Sequence, residues 1–115
     1  MKRIAVLVSG GGTNLQALID AKNRGEIPEG EFAAVISSSP NAYALKRAET
    51  AGISTFVIDR KAYGSNREMT VSLTELLQAQ KIDLVVLAGF MYILTEELVN
   101  AYPNAIINVH PALIP

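Results

Sequence analysis

At 115 residues, half of them hydrophobic, the chain has the size of one domain and enough apolar surface for one core. Ten basic against eleven acidic residues leave a formal charge of −1. This offers no general attraction to nucleic acid or an anionic membrane, so any anion site must be built locally. The absence of cysteine excludes disulfides, thiolate metal sites and thiol nucleophiles.

Arg3 to Val8 is a continuous apolar run after Lys2-Arg3, as expected of a strand buried on both faces. It is too short for the core of a signal peptide, and no run approaches about twenty apolar residues. The expectation is a soluble cytoplasmic protein. Linkers, repeats and low-complexity tracts are absent, so residues 1–115 read as a single domain.

Leu15, Leu18, Ile19 and Lys22 mark one face of a first helix, with Thr13 as its N-cap and Gln16 completing a capping box. Residues 32–37 form a second strand. Ser39-Pro40 supplies a cap and a proline where the next helix would begin, and Gly52 ends it. Residues 54–58 give a third strand. Ser65 and Glu68 make a second capping box before an apolar face of Met69, Leu73, Leu76 and Leu77. Residues 83–88 are the most apolar strand. Thr95, followed by Glu96 and Glu97, opens a short helix with acids suited to its dipole, and residues 105–109 form a fifth strand.

Strands alternating with helices predict an α/β fold with a doubly wound, mostly parallel sheet and right-handed crossovers. Ligands of such sheets bind beyond the carboxyl ends of the strands. Here those ends are Ser9-Gly10-Gly11-Gly12, Ser37-Ser38, Asp59-Arg60, Gly89-Phe90-Met91 and Asn108-Val109-His110.

Ser9-Gly10-Gly11-Gly12-Thr13-Asn14 joins the first strand to the first helix. Its glycines let a ligand approach the backbone, and the N–H groups of the helix start favour an anion, most naturally phosphate. The dinucleotide fingerprint fails, because position 15 is Leu15 and no acid ends the second strand. A Walker A loop fails for lack of a lysine. The reading is a phosphate cradle for a mononucleotide-like ligand, against the alternative of a tight turn with no guest.

Leu87-Ala88-Gly89-Phe90-Met91-Tyr92-Ile93-Leu94 stays apolar beyond its strand. Such a loop either packs on the following helix or forms a wall for a flat heteroaromatic ligand. Arg67 sits in the first turn of a helix, where a cation opposes the dipole. A nearby carboxylate or phosphate would explain it, and so would simple solvation.

Asn108 and His110, the only histidine, have the period-two spacing that points both to one side of a strand end. An amide can donate to a developing oxyanion, and an imidazolium can do the same and then release its proton. That suits attack by an amine on a carbonyl carbon. One histidine disfavours a metal site. Spacing alone leaves a structural histidine equally open.

Ser9-Gly10-Gly11-Gly12-Thr13-Asn14-Leu15-Gln16-Ala17, the apolar loop 87–94 and Asn108-Val109-His110-Pro111-Ala112-Leu113-Ile114-Pro115 together resemble the glycinamide ribonucleotide formyltransferases, end to end and in order. The resemblance implies the Rossmann-like formyltransferase fold. It implies formyl transfer from 10-formyltetrahydrofolate, a co-substrate, to the amine of glycinamide ribonucleotide in purine biosynthesis, without a metal. It also implies that Gly12, Thr13 and Asn14 hold the substrate phosphate. Arg67, Met91, Tyr92, Ile93, Leu94 and Asn108 would contact the folate. Asn108 would polarise the formyl oxygen, and His110 would stabilise the tetrahedral intermediate and act as general acid.

Tyr92 stands where some relatives carry arginine, which bears on a side-chain contact but not on backbone ones. The family continues past the equivalent of Pro115 with a catalytic aspartate, folate-site loops and further strands, whereas no acid follows Glu97 here. The chain therefore reads as the N-terminal part of a formyltransferase catalytic domain, truncated at its C-terminal side. Ligand binding is expected to be weak and turnover lost. The fifth strand would lie at a sheet edge, which favours a homodimer or aggregation. Competing readings are formyltetrahydrofolate deformylase, methionyl-tRNA formyltransferase and a phosphate-ligand binding module. The glycine loop argues against the first two, and the near-neutral charge argues against a tRNA partner.

Overall fold

A computed structural model describes residues 2–109. Strands β1 (Lys2–Val8), β2 (Gly30–Ser37), β3 (Thr55–Val57), β4 (Leu84–Ala88) and β5 (Ile106–Val109) alternate with helices α1 (Thr13–Asn23), α2 (Tyr43–Thr50), α3 (Asn66–Ala79) and α4 (Glu96–Ala101). Every pairing is parallel, in the order β3-β2-β1-β4-β5. The expected doubly wound α/β sheet is what forms. The chain winds outward from β1 to β3, then crosses back to lay β4 on the other side of β1. That reversal puts the topological switch point between β1 and β4, where a crevice opens beyond the strand ends.

The continuous apolar runs follow from this layering. Ile4, Val6 and Val8 of β1 face Leu15 and Ile19 of α1 and Ala44 and Ala48 of α2. Ala5 and Leu7 face the opposite way, toward Leu73 and Leu77 of α3 and Leu98 of α4. A central strand covered on both sides cannot afford a polar face. The edge strand β5 differs: Ile106 packs inward, while Ile107 is 49% exposed.

Helix starts depart most from expectation. Thr13 is the first residue of α1 rather than its cap. Gly12 takes the cap position with φ 82° and ψ 26°, and no side chain caps the helix. The Thr13–Gln16 capping box is absent because the left-handed glycine turns the chain into the helix one residue early. Gln16 instead donates to Asp20 and accepts from Arg47. α2 begins at Tyr43, beyond Ser39-Pro40. There Ser37 Oγ donates to Ser39 O at 2.6 Å and accepts from Ser39 N–H at 3.0 Å, so local side-chain bonds hold a turn in place of a helix. Ser65 caps α3 through Glu68 N–H at 3.1 Å, but the Glu68 carboxylate reaches back to Gly64 N–H rather than to Ser65.

Candidate active site

Three loops meet beyond the carboxyl ends of β1, β2 and β4. In the glycine loop, Gly10 and Gly11 lack positive φ, and a Cβ on either would meet no atom within 4 Å. The described fold does not require glycine at either position. What glycine does provide is unshielded backbone facing the crevice. Gly12 is different, because its own Cβ would lie 2.7 Å from Ala44 Cβ and 2.8 Å from Ala44 Cα. It lets α2 pack against the start of α1. The first bond of α1 runs from Gln16 N–H to Gly12 O at 2.8 Å, so among the described residues the N–H groups of 13–15 have no partner. Such a helix start attracts an anion.

Arg47 of α2 adds a positive charge beside this loop. Its Nε donates to Gly11 O at 2.8 Å, its Nη1 reaches Gln16 Oε1 at 3.3 Å, and its guanidinium lies 5.1 Å from the Tyr43 ring centroid. Sequence reasoning missed this residue. Tyr43 and Arg47 share a helix face at i, i+4 spacing, but nothing local links either to a loop more than thirty residues upstream.

The loop after β4 divides between the two expectations held for it. Gly89 turns the chain at φ +79°. Phe90 and Leu94 are half-buried and pack on the α3 side of the sheet. Between them Met91 is 78%, Tyr92 40% and Ile93 73% exposed, an apolar surface with no cover among the described residues. Tyr92 meets the Phe90 ring edge-on at 6.2 Å between centroids. It also lines a cleft of about 410 Å³ with Ser39, Asn41, Asp59 and Lys61.

The glycine loop and the apolar loop are joined through Ser9, which sequence reasoning left without a role. Met91 N–H donates to Ser9 Oγ at 2.9 Å, and Ser9 Oγ lies 2.7 Å from Ser38 Oγ. Ser9 thus ties the ends of β1, β2 and β4 together at the switch point.

The Arg67 side chain is 57% exposed and paired. Its Nη1 pairs with Glu97 at the start of α4, so the carboxylate that its position calls for comes from this chain. The Thr95 hydroxyl, the backbone N–H of Glu97 and Arg67 hold the Glu97 carboxyl below the usual range, the hydroxyl contributing most. Asn108 is exposed near the end of β5, opposite Leu87 of β4. His110, and with it the Asn–His geometry, lies outside the described residues. The structure therefore links the start of the glycine loop to Met91 through Ser9, and bonds Arg67 to Glu97.

The sequence profile described as formyl transferase matches residues 2–115. The chain belongs to the formyl transferase family. It is 47% identical over 115 residues to the phosphoribosylglycinamide formyltransferase of Haemophilus influenzae, covering 100% of this chain and 54% of that protein. The Escherichia coli K12 protein of the same name is 41% identical over 112 residues, covering 97% and 52%. A crystal structure of glycinamide ribonucleotide transformylase 1 from Symbiobacterium toebii superposes with a TM-score of 0.90 at 47% identity, covering 100% and 54%. This formyl transferase chain spans about half the length of the relatives it matches. No helix among its described residues is long and apolar enough to cross a membrane.

Proposed function

We propose that the chain supplies the substrate-phosphate and folate half-sites of a cytoplasmic glycinamide ribonucleotide formyltransferase. The observation that carries this reading is the glycine loop. Gly10 and Gly11 face open space, and the N–H groups of residues 13–15, without partners among the described residues, follow directly. In this reading Gly12, Thr13 and Asn14 bind the phosphate of glycinamide ribonucleotide, and Arg47 adds long-range attraction. The exposed Met91, Tyr92 and Ile93, with Leu94 anchoring them, form the wall for the pteridine of 10-formyltetrahydrofolate. Arg67 serves the anionic end of that molecule.

The chemistry then falls to the end of β5. The substrate amine attacks the formyl carbon, and its C=O bond becomes a C–O⁻ that needs donors. The Asn108 amide and a protonated His110 supply them. His110 gives its proton to the departing folate nitrogen as the C–N bond breaks, and the attacking nitrogen, cationic in the intermediate, returns one proton to the imidazole, leaving the formyl group on the new amide. No step needs a metal.

Calorimetric titration of the chain with glycinamide ribonucleotide and with 5-formyltetrahydrofolate, separately and together, tests this. Both should bind, and both at once. Binding of the phosphate ligand alone would favour a simple phosphate-ligand module, and binding of neither would refute the reading.

A further inference from the structure

Ser9 lies on the phosphate side of the crevice, yet the partner that depends on it belongs to the apolar side. Among the described residues, Met91 N–H to Ser9 Oγ is the one hydrogen bond made by the backbone of residues 91–94. The next fixed points are the packed side chains of Phe90 and Leu94 and the bond from Thr95 N–H to Thr70 Oγ1 at 3.2 Å. Between them Met91, Tyr92 and Ile93 expose apolar surface that cannot anchor itself.

Ser9 is well set to act as the fixed end of this bond. Ser38 is 3% exposed, and among the described residues its hydroxyl proton has no acceptor except Ser9 Oγ. A buried hydroxyl left without an acceptor is costly, so Ser38 donates to Ser9. Ser9 Oγ then accepts from Ser38 and from Met91 with both lone pairs. Ser38 thereby fixes the rotamer that presents Ser9 to the apolar loop. Tethering a loop in its binding conformation raises affinity by lowering the entropy lost when the ligand orders it.

We infer that Ser9 is the positioning residue for the Met91–Ile93 wall, so that a side chain of the phosphate loop governs affinity on the folate side of the site. The inference rests on the folate reading above for its ligand but not for its loop.

The test compares Ser9→Ala and Ser9→Thr with the parent chain, by amide hydrogen exchange and by titration. In Ser9→Ala the Met91 amide should exchange about tenfold faster, the factor carried by one neutral hydrogen bond, while the amides of β1 and α1 hold their rates. Affinity for 5-formyltetrahydrofolate should fall roughly five- to tenfold with that for glycinamide ribonucleotide unchanged. Ser9→Thr keeps the acceptor oxygen and should restore both. An unchanged Met91 exchange rate in Ser9→Ala overturns the inference, as does equal loss for both ligands, which would mark a general effect on folding. A parent chain that binds no folate defeats the functional reading, while the exchange rates still decide the role of Ser9.

Discussion

Gly12→Ala separates what the glycine loop does for the fold from what it does for a ligand. Two costs combine at this position. A non-glycine residue at φ +82° carries about 1–2 kcal/mol of left-handed strain. The new methyl would also stand 2.7 Å from Ala44 Cβ and 2.8 Å from Ala44 Cα. Ala44 is fully buried on α2 and its backbone N–H is bonded to Gly10 O at 3.1 Å, so it cannot swing aside. Overpacking of that kind costs about 1–3 kcal/mol. The sum, roughly 2–5 kcal/mol, is a large part of the total stability of an ordinary domain. In urea unfolding, with a slope of about 2 kcal/mol per molar, the midpoint should fall by about 1–2.5 M at unchanged slope. Gly10→Ala and Gly11→Ala meet no atom within 4 Å and need no positive φ. They should leave stability unchanged or raise it by roughly 0.4–1 kcal/mol, while weakening binding of glycinamide ribonucleotide by covering the backbone. A Gly12→Ala stability within about 0.5 kcal/mol of the parent would refute the steric argument, and so would equal losses at Gly10 and Gly12.

Glu97→Gln should free Arg67 and raise affinity for 5-formyltetrahydrofolate by up to about fivefold, the scale of an exposed ion pair; unchanged affinity would remove Arg67 from the folate site. The same variant should flatten the acid limb of the stability–pH curve. Glu97 is held below its ordinary carboxyl range, so its contribution is complete above that range and is lost as pH falls through the folded value. Ile107→Glu places a charge on the exposed edge of β5 and should abolish concentration-dependent self-association in light scattering, if that edge is where copies meet. In a protein of the relatives' full length, Asn108→Ala should slow single-turnover formyl transfer roughly 10²–10³-fold with the melting temperature unmoved, the outcome the proposed oxyanion role requires of an exposed side chain.

The parallel sheet was legible because burial on both faces leaves no ambiguity. The apolar residues of β1 and β4 have to be covered twice, and the amphipathic stripes of α1 and α3 supply the cover. Helix starts were less legible, because capping is settled by geometry that a local pattern does not contain. Thr13 and Gln16 satisfy the capping-box pattern, yet Gly12 occupies the cap position because α2 passes close enough to forbid a Cβ there. Ser39-Pro40 fits a helix start, yet Ser37 and Ser39 spend their hydroxyls on a turn.

The candidate site shows the same division between composition and contact. The glycine loop and the apolar loop stand out as strings of residue types, and each string carries its own chemistry. What joins them does not. Ser9 is one serine beside three glycines, and only the crossing of β4 back beside β1 puts its oxygen against an amide 82 residues later. Arg67 likewise suggested an anion, but only the docking of α4 on α3 identifies that anion as Glu97. Both ends of this ion pair are visible in the sequence as residues set against or with a helix dipole. An arginine placed against its own dipole has reason to reach outward, and Glu97 is the acid within its reach. In the proposed folate site a ligand carboxylate would have to displace Glu97 from Arg67, so the proposal makes affinity there depend on an exchange of partners.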